Sequence, residues 1–149
     1  MVVKESVPRD WDVKILATDI DSNVLATAKN GLYNEDRIKG MQQHYLRRWF
    51  MKGKGSNAGV VRVSSELRDI ISFHQLNLME KWPVHGPLDI IFCRNVVIYF
   101  DKETQKKIFN RFADLIDMAG HLFIGHSESL HKVTDRFELL GKTIYQRVK

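Results

Sequence analysis

The sequence predicts an α/β fold that carries a small inserted antiparallel element. The run Leu88–Phe92 is apolar except for Asp89, which is typical of a strand covered on both faces in a parallel sheet. Strand and helix patterns alternate along the chain, and a glycine-rich tract at residues 53–59 interrupts the alternation. With 149 residues, of which 44% are hydrophobic, the chain is long enough for one domain with a real core.

Composition limits the classes of protein to consider. The net charge of +5 favours acidic partners, whether nucleic acid, anionic lipid or an acidic protein surface. No segment approaches the roughly 20 apolar residues that span a bilayer, and the start lacks the apolar core of a secretory signal, so we expect no membrane insertion. A single cysteine, Cys93, cannot form an internal disulfide, so a reducing cytoplasm is expected, with Cys93 as a buried small hydrophobe.

The first strand pattern ends in an acidic residue. A β-rich run over residues 13–17 leads to Thr18 and Asp19, after which Ser22 offers a helix N-cap and Gly31 a stop. A carboxylate at such a strand tip can accept hydrogen bonds from both hydroxyls of a ribose. The alternative is that Asp19 and Asp21 only begin the helix.

The middle of the chain reads as the inserted β-subdomain, placed at about 47–76. Residues 53–59 favour a hairpin or loop over a phosphate cradle, because the P-loop spacing is incomplete. The run Ile70–Leu76 either completes a small antiparallel sheet or returns to the main one. Four basic residues interleaved with Trp49 and Phe50 allow a nucleic-acid surface, against the simpler interpretation of a solvated face: Arg47, Arg48, Lys52 and Lys54.

Further polar side chains follow other predicted strands. Arg94 and Asn95 come directly after the apolar run, where ligands bind in open α/β sheets. Asn77 follows the run that ends at Leu76, and its amide could read a base edge or simply cap a turn. His126 and Glu128 lack a third ligand nearby, so we expect a loop near a pocket and no metal.

The C-terminal third predicts a helix, a buried strand and a hairpin. Asp101 is a good N-cap, and apolar residues recur at helical spacing from Ile108 until a stop at Gly120. Residues 121–125 follow as a buried strand. A Gly141-Lys142 turn between two β-prone runs predicts a terminal antiparallel hairpin.

Several ordered motifs together resemble those of one family. They are Ala17-Thr18-Asp19-Ile20-Asp21, Phe50-Met51-Lys52-Gly53, Val61-Arg62-Val63, Asn77-Leu78, Phe92-Cys93-Arg94-Asn95-Val96-Val97-Ile98-Tyr99-Phe100-Asp101 and Gly125-His126-Ser127-Glu128. In this order they resemble the CheR-type chemotaxis receptor methyltransferases, which methylate glutamate side chains of chemoreceptors with S-adenosylmethionine. The resemblance implies a Rossmann-like class I methyltransferase sheet with the β-subdomain and the C-terminal hairpin.

The resemblance also implies how the cofactor is held. Asp19 would bind the ribose hydroxyls. Asn77 and Leu78 would border the adenine, with Leu78 packed on its face. Arg94 and Asn95 would line the methionine and sulfonium side. S-adenosylhomocysteine would be the product.

The implied chemistry and partner follow from the same resemblance. Tyr99 would lie close to the transferring methyl group, and Arg94 would orient the pocket electrostatically. The partner would be the cytoplasmic domain of a methyl-accepting chemoreceptor. In some family members the β-subdomain binds the receptor's C-terminal peptide, which an exposed strand edge can accept through main-chain hydrogen bonds.

One departure from the family pattern shapes the expectation for this chain. Family members place a helical domain, a first strand and an acidic glycine loop before the segment at which this sequence begins. We therefore expect residues 1–149 to be the C-terminal part of a methyltransferase domain that lacks the first strand. Two alternatives stay open: a non-catalytic fragment that binds receptor peptide, and a nucleic-acid-binding methyltransferase-like module.

Overall fold

A computed structural model describes all residues 1–149, which form two compact units, Met1–Asn77 and Leu78–Lys149. Unit 1 contains, in chain order, α1 (Val2–Ser6), β1 (Ile15–Asp19), α2 (Ser22–Asn30), β2 (Leu32–Asn34), α3 (Gln43–Trp49), β3 (Phe50–Lys52), β4 (Val60–Val63), α4 (Ser65–Arg68) and β5 (Ile71–Gln75). Unit 2 contains β6 (Leu88–Cys93), α5 (Lys102–Leu115), β7 (Ile116–Ile124), β8 (Phe137–Gly141) and β9 (Ile144–Arg147). No helix is both long and apolar enough to cross a membrane.

Unit 1 holds two separate sheets. β1 and β5 form a parallel pair, with Asp19 opposite Gln75. β2, β4 and β3 form an antiparallel sheet with β4 in the centre. The expected hairpin around residues 53–59 is present, because β3 and β4 pair antiparallel on either side of that tract.

The inserted sheet has different bounds from those expected. It joins residues 32–34, 50–52 and 60–63, whereas the prediction placed the β-subdomain at about 47–76. Residues 71–75 lie in the parallel pair instead, so the run Ile70–Leu76 returns to the main strand pattern. β5 instead pairs in parallel with β1 along its whole length, from Ile15 opposite Ile71 to Asp19 opposite Gln75.

The turn from β1 into α2 follows the predicted chemistry with one change of residue. Asp21, not Ser22, is the N-cap, and its carboxylate accepts a hydrogen bond from the Asn23 backbone at 2.7 Å. The helix ends at Gly31, whose φ of 65° is left-handed, a conformation that glycine adopts without steric cost.

Unit 2 is a four-stranded mixed sheet in the order β6-β7-β9-β8. β6 and β7 are parallel and are connected through α5, whereas β9 is antiparallel to both β7 and β8. The predicted terminal hairpin is confirmed as β8–β9, with Lys142 and Thr143 between the strands. α5 begins at the predicted N-cap Asp101 but ends at Leu115, because β7 already begins at Ile116 rather than after Gly120.

The core of unit 2 lies between α5 and one face of the sheet. Fully buried side chains of α5 meet those of β7, among them Ile108, Phe109, Leu122 and Ile124. The expectation that β6 is covered on both faces is wrong for this chain. Ile90 and Phe92 are 46% and 66% exposed, because α5 covers only the opposite face, from which Cys93 points into the core.

Candidate functional site

Asp19 lies where sequence analysis expected an acceptor, at the last residue of β1. Its side chain is half-buried, and Oδ1 accepts a hydrogen bond from the backbone of Asp21 at 2.9 Å. Gln75 fixes the same turn by donating from Nε2 to the carbonyl of Ile20 at 2.8 Å. The carboxylate is therefore oriented by its own turn.

Asn77 and Leu78 follow β5 as the last residue of unit 1 and the first residue of unit 2. Both are half-buried. The Leu78 side chain packs partly against the core of unit 2, and its carbonyl accepts hydrogen bonds from Trp82 Nε1 and Arg111 Nη1, each at 3.1 Å. These bonds fix the backbone of Leu78 and leave part of its apolar side chain accessible.

Arg94, Asn95 and Tyr99 lie on one loop, residues 94–99, which we call the site loop. It follows β6 directly and ends in a single 3₁₀ turn over Val97–Tyr99. All three predicted side chains are exposed, Tyr99 by 81%. Arg94 Nη2 lies 3.2 Å from His126 Nδ1 on the loop after β7. Asn95 has a φ of 60°, a left-handed conformation that asparagine tolerates better than most residues.

Glu128 is the main residue of this region whose role the sequence did not reveal. Sequence analysis placed it with His126 on a loop near a pocket, without a metal, and as the last residue of the motif Gly125-His126-Ser127-Glu128. In the structure it is buried, and its carboxylate accepts hydrogen bonds from backbone N–H groups of the site loop and of Gly125. No group of three or more His, Cys, Asp or Glu side chains is arranged to hold a metal ion.

Cys93 is a buried thiol immediately before the site loop. Burial, and secondly the charge of Glu128, raises the pKa of this thiol from 9.0 to about 12. Because the thiolate is the reactive form, this raised pKa keeps Cys93 almost entirely in its unreactive thiol form at neutral pH. This agrees with the expected role of a small apolar core residue.

The basic cluster of residues 47–54 is not built as a stacking surface. Trp49 is completely buried and donates from Nε1 to Glu5 Oε1 at 2.7 Å. The guanidinium of Arg48 lies 4.4 Å from the centre of the Trp49 ring, and Lys52 forms an ion pair with Glu35. Since bases stack on exposed aromatic rings, this geometry does not favour the nucleic-acid interpretation.

Comparisons with known proteins agree on one family. The family model described as CheR methyltransferase, SAM binding domain, matches residues 1–146. The chemotaxis protein methyltransferase of Escherichia coli (strain K12) is 45% identical over 141 residues, which cover 94% of this chain and 49% of that protein. The corresponding protein of Salmonella typhimurium (strain LT2) is 45% identical over 139 residues, covering 93% of this chain and 48% of that protein.

A third relative gives the same proportions. Chemotaxis protein methyltransferase 2 of Pseudomonas aeruginosa (strain PAO1) is 44% identical over 137 residues, covering 91% of this chain and 49% of that protein. The chain therefore spans about half the length of the curated relatives it matches. The observed α/β architecture, with a parallel strand pair and a C-terminal antiparallel hairpin, confirms the predicted class I methyltransferase fold.

Proposed function

Because the chain belongs to the CheR methyltransferase family, we propose that it is the cofactor-binding part of an enzyme that methylates glutamate side chains of chemoreceptors with S-adenosylmethionine. The observation that carries the proposal is the family match over residues 1–146, together with 45% identity to a chemotaxis protein methyltransferase. The net charge of +5 suits an acidic receptor surface, which it would attract at long range.

The donor set fits an adenosyl cofactor. Asp19, half-buried at a strand end, is suited to accept from ribose hydroxyls. Asn77 offers both an amide donor and an acceptor for the adenine edge, and Leu78 an apolar surface for its face. Arg94 and Asn95, exposed at the carboxyl end of β6, are suited to the methionine part.

The chemistry we propose needs positioning more than proton transfer. S-adenosylmethionine, when bound, supplies a methyl group on a positively charged sulfur. The acceptor glutamate is ionised near pH 7, so the chain need not provide a strong general base. Tyr99, with its exposed hydroxyl, would orient the reacting groups in line, and Arg94 would set the local electrostatic field.

The partner we propose is the cytoplasmic domain of a methyl-accepting chemoreceptor, and with it we propose that the chain works in the cytoplasm. The receptor's C-terminal peptide would add a strand to the antiparallel sheet of unit 1, whose edge strands are β2 and β3. Met51 of β3, 51% exposed, offers an apolar contact for such a strand.

Two measurements test the proposal. Titration calorimetry with S-adenosylhomocysteine should give saturable binding to the chain, with a stoichiometry near one. Incubation with a chemoreceptor cytoplasmic domain and S-adenosylmethionine labelled in the methyl group should transfer label to glutamate side chains as methyl esters, from which base hydrolysis releases labelled methanol. A chain that binds receptor peptide but not S-adenosylhomocysteine would instead be the non-catalytic docking fragment.

A further inference from the structure

The site loop leaves regular strand pairing and therefore needs partners for its backbone groups. Its exposed side chains are Arg94, Asn95 and Tyr99, whereas Val97 is 1% exposed and anchors the loop in the core of unit 2. Backbone N–H and C=O groups buried without a partner cost free energy comparable to a lost hydrogen bond. The side chains that form hydrogen bonds with these backbone groups therefore also fix the conformation of the loop.

A single carboxylate accepts from three consecutive N–H groups of the loop. Glu128 Oε1 accepts from Val96 and Val97, each at 3.1 Å, and Oε2 accepts from Asn95 at 3.2 Å and from Gly125. Glu128 is only 9% exposed and forms no salt bridge, so these four amides are what compensates its charge. Hydrogen bonds to an ionised acceptor are about twice as strong as those between neutral groups.

A buried amide satisfies the C=O groups on the other side. Gln105 of α5 donates from Nε2 to the carbonyls of Val97 at 3.0 Å and Phe100 at 2.9 Å. Gln105 and Glu128 are the two polar side chains that are buried in this chain. Both serve residues 95–100, one as acceptor and the other as donor, so the buried polar groups are concentrated on this segment.

We propose that Glu128 is a positioning residue, which holds the site loop in the conformation that presents Arg94, Asn95 and Tyr99 to the cofactor, and that Gln105 supports it from α5. The inference rests on the proposed function and deepens it. Glu128 acts through the backbone and touches no substrate. A glutamine at this position keeps the size of the side chain but directs an NH₂ group at amide donors, so two of the four bonds cannot form well.

The experiment compares Glu128→Gln with two matched variants of the same chain. Glu138→Gln removes the same charge from an exposed position on β8. Ile108→Val removes a buried methyl group from α5 without touching the site loop, and it controls for a general loss of stability. Each variant is measured by amide hydrogen exchange and by calorimetric titration with S-adenosylhomocysteine.

We expect Glu128→Gln to accelerate exchange at the amides of Asn95, Val96 and Val97 by about tenfold or more, and to weaken S-adenosylhomocysteine binding by a similar factor. Exchange in the β8–β9 hairpin should stay unchanged, and neither control should alter binding by more than about twofold. Unaltered loop exchange in Glu128→Gln, or unaltered affinity despite faster exchange, would contradict the proposal.

Two further outcomes can be distinguished from those above. If Glu128→Gln does not fold, Gln105→Met takes its place; it should accelerate exchange at Phe100 and weaken binding, and no change in either would contradict the proposal. If the wild-type chain binds no S-adenosylhomocysteine, the proposed function fails, and loop exchange alone then decides whether Glu128 holds the loop.

Discussion

Asn95 lies so close to Gly125 that the glycine has no room for a side chain. A Cβ added to Gly125 would overlap Asn95 Oδ1, and it would lie 2.8 Å from Glu128 Oε2 and 3.0 Å from the backbone nitrogen of Asn95. The two loops that follow β6 and β7 are therefore closely packed at this point. This close approach is possible because Gly125 has no side chain.

Gly125→Ala should destabilise unit 2 by about 1–3 kcal/mol, because the added methyl group would overlap the Asn95 and Glu128 side-chain oxygens and press on the backbone nitrogen of Asn95, so the hydrogen bonds of Glu128 would have to shift. The free energy of unfolding, measured by urea titration, checks this. Ser127→Ala in the same loop serves as the control, since Ser127 is exposed. Equal stability of the two variants would contradict the close contact.

Glu5→Ala should destabilise unit 1 by about 1–3 kcal/mol, since it leaves the Nε1–H of the fully buried Trp49 without its acceptor. Thermal unfolding followed by tryptophan fluorescence measures the effect. The control is Asp10→Ala, which removes an exposed carboxylate from the same N-terminal segment. If both variants unfold at the wild-type temperature, the hydrogen bond between Trp49 and Glu5 does not contribute to stability, and the prediction is wrong.

Asp19→Asn should weaken binding of S-adenosylhomocysteine about 10- to 100-fold, the range expected when a hydrogen bond to a charged acceptor is lost. The substitution keeps an oxygen that can accept from Asp21, so the turn should survive. Calorimetry gives the affinity, and Asp12→Asn, an exposed neighbour, is the control. Wild-type affinity in Asp19→Asn would remove Asp19 from the cofactor contacts.

Tyr99→Phe should slow single-turnover methyl transfer about fivefold, in a preparation that methylates the receptor domain, because one hydrogen bond to the reacting groups is lost. Stability should not change, since the side chain is 81% exposed. Quenched-flow measurement with labelled cofactor separates this step from product release. An unchanged rate would exclude Tyr99 from the chemistry.

Alkylation of Cys93 should be strongly suppressed in the folded chain. Burial raises the pKa of Cys93 to about 12, so at pH 8 the thiolate fraction is about a thousandfold lower than in the unfolded chain. The unfolded chain loses this proton near pH 9 and the folded chain only near pH 12. Between these values the folded state binds more protons, so this thiol makes stability fall as pH rises and has no effect below about pH 8. Iodoacetamide labelling with and without urea tests the suppression, and rapid labelling of the native chain would contradict it.

Local patterns were sufficient to predict several elements. Apolar residues at helical spacing identified α5, and Gly141-Lys142 between two β-prone runs identified the β8–β9 hairpin. Each of these two signals is formed by residues that lie within a few positions of one another in the sequence. The same holds for Gly31, whose left-handed conformation ends α2.

Contacts between distant residues explain what the sequence did not reveal. Three of the four amides that bind Glu128 lie 31 to 33 residues before it, and no local pattern marks a carboxylate for such burial. The partner of β5 was equally undetermined, since Ile70–Leu76 is compatible with either sheet. The exposure of Phe92 was not predicted, because an apolar run does not show whether other elements of the chain cover one face of the strand or both.

The parallel pairing of β1 with β5 sets the order in which this chain can fold. Residues 20–70, including the entire antiparallel sheet, lie between the two strands, so placing Ile15 opposite Ile71 closes a long connection. Closing so long a connection is entropically costly and slow, whereas β8 and β9 meet across a two-residue turn. On the ribosome, β1 must therefore wait until residue 75 has emerged before it finds its neighbour.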